Sequence, residues 1–414
     1  METDGIILEQ LPVMNKSLRV AFVTETYPPE VNGVANTAAC FVEGMRARNH
    51  EIQLVRPRQN RADQAGEYAG LQEVLMRGLP IPNYPSLKMG LPAKQALVRM
   101  WTRHRPDVVH IVTEGPLGWS ALQAALKLKI PVSSDFRTNF HAYSRHYGIG
   151  WLQKPIAAYL RKFHNRTQLT LVPTDSMRRE LATRGFRNLR VVARGVDTAL
   201  FTPARRSEAL RAEWGAAADD LVILYVGRLA PEKNLDPVVA AYERIRSIEP
   251  RAKLVFVGDG PARDSLRARR PDAHYAGMRT GEDLAAHYAS GDVFLFPSLT
   301  ETFGNVTIEA MASGLAVVAY DYAAAAEYIA HGRNGVLAAF DDADDFVRLA
   351  AELVEQRANV RAFGQQARLS AEQLAWSRVV GQFESLLMNV AGAQSGPQGA
   401  LTMDAVAGAS GAGG

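Results

Sequence analysis

Ser298-Leu299-Thr300-Glu301-Thr302-Phe303-Gly304-Asn305-Val306-Thr307-Ile308-Glu309 follows the apolar run Val293 to Pro297 and leads into helical sequence. It sets two glutamates eight positions apart, on either side of a break that contains a glycine. Glu301 is thereby expected in a strand-to-helix loop, and Glu309 about one turn inside a helix that starts near Asn305. The start of a helix presents unpaired backbone N–H groups and the positive end of the helix dipole, which together suit a phosphate. Gly304 lets the backbone come close to a ligand. The two carboxylates then accept hydrogen bonds from hydroxyls on either side of that phosphate. A ligand with hydroxyls at both ends and phosphates between them is a nucleotide sugar.

Outward from this stretch, buried-strand runs alternate with helical sequence. In the second half they fall at Leu221–Val226, Lys253–Val257, Asp292–Phe296 and Ala316–Ala319. In the first half Leu18–Val23 is followed by a turn with Pro28, Pro29 and Asn32-Gly33 and a helix from about Val34 to Arg48. Further strands are expected at Glu51–Val55, Asp107–Val112 and Pro131–Ser134, with helices over Pro92–His104 and Leu117–Lys129 between them. Continuous apolar strands separated by helices predict parallel sheets covered on both faces. The fold class is therefore α/β, with two Rossmann-like, doubly wound halves joined by a connector from Arg194-Gly195-Val196-Asp197 to Pro203. The cleft between them is the expected ligand site. Residues 1–17 and the Gly/Ala/Ser-rich tail 391–414 are expected to be disordered.

The length of 414 residues suits two domains of roughly 150–200 residues each. A hydrophobic content of 47% and a mean hydropathy of −0.12 are those of a globular chain. No apolar run reaches the roughly 18 residues that a membrane span needs. The first sixteen residues carry Glu2, Asp4 and Glu9 rather than the basic and apolar regions of a secretory signal. The single cysteine, Cys40, cannot form an internal disulfide and is expected to be a buried helix residue in a cytoplasmic protein. Charge is uneven: residues 1–200 hold 27 Lys/Arg and 16 Asp/Glu, residues 201–414 hold 20 and 27. A basic first half fits an anionic partner such as a lipid headgroup or membrane face, or is simply variation in solvated charge.

A second motif, Val226-Gly227-Arg228-Leu229-Ala230-Pro231-Glu232-Lys233-Asn234, lies at the carboxyl end of the first strand of the second half. Arg228 and Lys233 flank a short turn, a planar fork and a point charge able to absorb the negative charge of a departing diphosphate. Phe256-Val257-Gly258-Asp259-Gly260-Pro261 resembles a dinucleotide fingerprint only in part, because Arg263 stands where a third glycine belongs; it reads as a turn bordering the nucleotide site. Glu114, in Thr113–Gly118, is either an acceptor contact or a plain carboxylate at a helix start. Leu152 to Arg166 joins apolar positions to Lys154, Arg161, Lys162 and Arg166, which fits a helix on an anionic membrane surface or a packed helix with a solvated basic face. The nine histidines lack metal-site spacing, and Asp341, Asp342, Asp344 and Asp345 lack a calcium-loop pattern, so no catalytic metal is expected. No aromatic-basic module for nucleic acid is present.

Taken together, Glu301/Glu309, the Gly227-Arg228 turn with Lys233, the Pro28-Pro29 to Asn32-Gly33-Val34 loop and the Arg194-Gly195-Val196-Asp197 connector with Phe201 resemble retaining GT-B glycosyltransferases of family 4. That group includes phosphatidylinositol mannosyltransferases and sulfoquinovosyl or glucosyl lipid synthases. The resemblance covers about residues 18–390. It implies an acceptor-side domain over 18–198, a donor-binding domain over 199–375, and a final helix near 376–390 that crosses back onto the first domain. It further implies that Glu301 binds donor sugar hydroxyls and Glu309 the ribose. The loop of Phe303, Gly304, Asn305 and Val306 would meet sugar and phosphates, Arg228 and Lys233 the diphosphate, and Gly33 would admit the donor phosphate across the cleft. Relatives often carry a histidine near the transferred sugar. Arg137 stands in that register here, within Ser134–His141, and His141, four residues later, is a catalytic candidate if Phe136 to His141 forms a bent loop, or else a structural or exposed histidine. Arg137 cannot act as a general base at neutral pH, but suits a donor phosphate or an anionic acceptor. The resemblance implies retention of configuration without a cofactor beyond the donor, and Glu301 and Glu309 are not cast as a glycosidase acid/base pair. Around residues 138–177 the sequence is similar to mannosyltransferases of the family, which favours GDP-mannose as donor over a UDP-sugar, and a lipid or glycan hydroxyl as acceptor. Competing classes are a non-catalytic nucleotide- or polyanion-binding module, an epimerase and an NAD-dependent oxidoreductase. The module leaves the joint presence of Arg228, Lys233, Glu301 and Glu309 at strand ends unexplained, an epimerase would have a water-activating carboxylate and no acceptor, and the oxidoreductase reading lacks a complete GxGxxG.

Overall fold

The computed structural model describes residues 17–30, 32–60, 62–81, 84–137, 153–301 and 303–392. Residues 1–16 and 393–414, His141 and Thr302 lie outside these, whereas residues 391–392, expected in the disordered tail, end the last helix.

Two sheets carry the architecture. The first has the order β10-β9-β8-β7-β1-β2-β4-β3. Its central strands are β1 (Arg19–Val23), β2 (Glu51–Pro57), β7 (Val108–Ile111) and β8 (Val132–Asp135). Outside them lie β9 (Leu169–Val172), β10 (Leu189–Val191), β4 (Leu71–Met76) and the short antiparallel β3 (Glu67–Tyr68). A separate hairpin joins β5 (Gly78–Ile81) to β6 (Tyr84–Gly90). The second sheet is parallel throughout, in the order β13-β12-β11-β14-β15-β16. Its strands are β11 (Val222–Val226), β12 (Lys253–Val257), β13 (His274–Gly277), β14 (Val293–Phe296), β15 (Ala316–Tyr320) and β16 (Val336–Ala338). This is the order of a Rossmann sheet, and its direction reverses between β11 and β14.

The strands are apolar because both faces are covered: β11, β14 and β15 are buried at every position. Separate cores follow. One gathers the second sheet and its helices, from Ala193 to Leu374. Others lie on the two faces of the first sheet. The last helix, Trp376–Gly392, belongs to the first-sheet core: the Phe383 ring lies 4.3 Å from that of Phe41 and 4.9 Å from that of His110. Glu384 on the same helix pairs with Arg48 at 2.8 Å and with buried His50 at 2.7 Å.

The chain thus passes between the domains twice, and the two passages touch. Val196 bridges Ala375, and the Val196 N–H donates to Leu374 O at 2.9 Å. Among the described residues no helix is long and apolar enough to cross a membrane. Cys40 is half-buried rather than buried, because its side of the Gly33–Ala47 helix is only partly covered.

Candidate active site

The switch point of the second sheet sets the site, because the loops after β11 and β14 diverge there and leave a crevice at the strands' carboxyl ends. The loop after β14 ends at Gly304, whose φ of +96° is left-handed and favours glycine. The helix Asn305–Ala312 starts immediately, with no side chain capping it; the Thr307 N–H turns back to Gly304 O at 3.1 Å, and this amino end carries the positive end of the helix dipole. Across from it begins the Gly33–Ala47 helix. The Asn32 side chain caps the N–H groups of Val34 and Ala35 there, at 3.1 and 2.8 Å. A Cβ on Gly33 would stand 3.0 Å from Arg194 Nη1 and 4.0 Å from Asn305 Nδ2. The missing side chain is what lets the two helix ends approach.

Between them is a crevice of about 340 Å³, lined from one side by Gly33 and Arg194 and from the other by Gly227, Arg228, Lys233, Phe296, Thr300, Glu301, Phe303, Gly304, Asn305 and Val306. Glu301 is the centre of its polar wall. One carboxylate oxygen, Oε1, accepts from Lys233 Nζ at 2.5 Å and from Ser298 Oγ at 2.7 Å, while Tyr322 OH donates to the Glu301 carbonyl at 2.9 Å. The two groups expected to serve different parts of a ligand therefore hold each other. Arg228 is largely exposed and reaches Glu232 at 3.6 Å. Asn234, in the left-handed region at φ +53°, donates to Pro297 O at 3.3 Å and ties the two loops together. The Phe256–Pro261 turn buttresses the Arg228 loop through Leu229 N–H to Asp259 O at 3.0 Å.

The structure brings Gly33, Arg228, Lys233, Glu301, Phe303, Gly304, Asn305 and Val306 to one hollow. Glu309 does not line it. It sits half-buried deeper along its helix, where Tyr288 OH donates to it at 2.9 Å. Burial pushes its carboxyl up to about 7, with the Tyr288 bond opposing. Arg137 does not line it either. Nε and Nη2 both reach Asp135 Oδ2 at 2.7 Å, and the guanidinium lies 5.8 Å over the Phe41 ring. Burial works to raise Asp135, but Arg137 and His110 outweigh it and hold the carboxyl at about 2. Glu114 pairs with buried His164 at 3.2 Å.

Arg194 is the residue that sequence reasoning missed. It was visible only as the first letter of a connector, and the available signal was a lone arginine at the turn between two domains. A larger hollow, of about 1000 Å³, opens near Asp220, Asp292, Gly314 and Arg368. It lies at the amino ends of the second sheet's strands, whereas parallel sheets bind ligands at the carboxyl ends.

Residues 206–370 match the family described as glycosyl transferases group 1, and residues 31–200 match glycosyltransferase family 4. A GDP-mannose-dependent alpha-mannosyltransferase of Mycolicibacterium smegmatis is 33% identical over 379 residues, 89% of this chain and 98% of that one. A GDP-mannose-dependent alpha-(1-6)-phosphatidylinositol monomannoside mannosyltransferase of Mycobacterium tuberculosis is 29% identical, over 84% of this chain and 92% of that one. Among solved structures, sucrose-phosphate synthase from Thermosynechococcus elongatus superposes with a TM-score of 0.71 at 17% identity, over 90% of this chain and 99% of that one.

Proposed function

Because the chain belongs to glycosyltransferase family 4 and has the GT-B fold, we propose that it transfers mannose from GDP-mannose to a hydroxyl of a lipid or glycan acceptor, with retention of configuration and without a metal. The observation that carries this reading is the convergence of Arg228, Lys233, Glu301, Gly33 and the open start of the 305–312 helix on one interdomain crevice.

The donor's diphosphate lies across that helix start, within reach of Arg228 and Lys233. On binding, Lys233 exchanges Glu301 for phosphate, and Glu301 turns to the sugar hydroxyls. The bond from the anomeric carbon to the phosphate oxygen breaks, and its electron pair leaves with the diphosphate. The cations absorb that charge, a form of stabilisation worth more in a water-poor cleft than in bulk solvent. The acceptor oxygen bonds to the same face of the anomeric carbon, and its proton passes to the departing phosphate. Glu309, one turn further in, is assigned to the ribose. The likeness to mannosyltransferases supports GDP-mannose, and the phosphatidylinositol mannoside relative supports a lipid acceptor.

Thermal unfolding with GDP-, UDP- and ADP-sugars in the presence of EDTA tests the proposal. A donor present at 100 times its Kd stabilises the fold by about 2.7 kcal/mol. GDP-mannose is expected to raise the melting temperature most, with EDTA making no difference. A larger shift with a UDP-sugar would overturn the donor assignment, and a requirement for a divalent ion would overturn the mechanism.

A further inference from the structure

Arg194 opens the connector between the domains, and its guanidinium stands at the meeting point of the two helix starts. It is only 6% exposed. Among the described residues its one hydrogen bond runs from Nη1 to Asn305 Oδ1, a long 3.4 Å, and Nε has no partner. The guanidinium also rests 5.7 Å over the Phe303 ring. The nearby Arg137 has its charge met by Asp135, whereas among the described residues no carboxylate is in contact with Arg194. The surroundings are positive: the amino ends of the 33–47 and 305–312 helices converge here. Burial and then Arg137 push the group down, Asp135 and Glu301 attract it at longer range, and it stands at about 9, so it remains charged at neutral pH. A buried cation with no carboxylate in direct contact among the described residues is costly to the fold, and this one lines the crevice.

We infer that Arg194 is a third cationic ligand of the donor's diphosphate, supplied by the interdomain connector beside Gly33 and opposite Arg228 and Lys233. This rests on the crevice being the donor site. A fork-shaped guanidinium matches phosphate oxygens better than a point charge does. The missing Gly33 side chain leaves the anion room beside it.

Titration calorimetry with GDP, GMP and inorganic pyrophosphate on wild type, Arg194→Met and Arg194→Lys tests the assignment, together with melting of each ligand-free protein. Arg194→Met is expected to weaken GDP roughly 10–100-fold, as for loss of a charge-assisted phosphate contact, and GMP much less. Its ligand-free melting temperature is expected to equal or exceed wild type, because an unpaired buried charge is gone. Arg194→Lys is expected to fall between the two, and it decides the matter if Arg194→Met does not fold. GDP affinity within about two-fold of wild type in both variants would overturn the inference alone. Weaker GDP binding with a lowered ligand-free melting temperature would mark a packing residue and overturn it too. A wild type that binds none of the three anions would overturn the donor-site reading, and this inference with it.

Discussion

Glu309 has a phenol for company rather than a cation, and this decides when it carries charge. Its carboxyl is raised from 4.5 to about 7, chiefly by burial. Between those values the folded protein holds a proton that the unfolded chain has released. Stability therefore falls as pH rises from about 4.5 to about 7 and levels off above, a loss on the order of 3 kcal/mol. Glu309→Gln keeps an acceptor for Tyr288 and removes the titration. It is expected to melt above wild type at pH 8 and alongside it at pH 5, and to bind GDP-mannose more weakly at pH 8 if the carboxylate reads the ribose. Glu301 poses the opposite case, since its charge is already shared with Lys233 at 2.5 Å. Glu301→Gln loosens that ion pair and leaves Lys233 freer for phosphate. Calorimetry is expected to show GDP affinity at least equal to wild type, while kcat falls roughly 100-fold for loss of a preorganised contact; normal turnover would remove Glu301 from the chemistry. At this scale the sequence was informative where residue type and spacing recur together, as at Arg228, Lys233, Glu301 and Gly304. It was silent on Arg194, whose surroundings come from distant segments, with Asn305 lying 111 positions away. The tie between Arg137 and Asp135 was within view, since residues two apart project to the same side of extended chain, but what else they face was not.

Helices and strands were legible in proportion to their burial. The central strands of both sheets are four- to seven-residue runs in which apolar side chains predominate, with Glu51, Gln53 and Arg56 interrupting β2, and short runs of this kind bounded by turn residues fit covered strands. The edges escaped notice for a physical reason. β3 is exposed at both positions, β4 is only partly covered along most of its length, and β10 and β16 have three residues each, too short for any period to emerge. The final helix is an element whose allegiance is set by its apolar stripe: Val379, Val380, Phe383 and Leu387 are buried against the first sheet's face. Phe383→Ala removes a ring packed against Phe22, Phe41 and His110. It is expected to cost about 3–5 kcal/mol, read as a lower urea midpoint with an unchanged slope. A cost under about 1 kcal/mol would mean the helix only lies on the domain without holding it together.

In the whole molecule, residues 1–200 hold 27 of the 47 Lys/Arg and residues 201–414 an acidic excess, yet the crevice gathers Arg194, Arg228 and Lys233 in one cluster. Local placement, not net charge, sets the charge of this crevice. A contact between Ser176 N–H and Glu327 Oε1 at 2.9 Å joins the domains away from the connector. The adjacency of Val196 and Ala375 has a further meaning for how such chains are assembled. The second lobe enters and leaves its host at a single doorway, like a parenthesis in a sentence that closes beside the place it opened. Replacing residues 197–374 with the corresponding lobe of a relative that uses another nucleotide moves neither attachment point. The chimera is expected to fold cooperatively and to take its base preference from the graft while keeping the acceptor of the host.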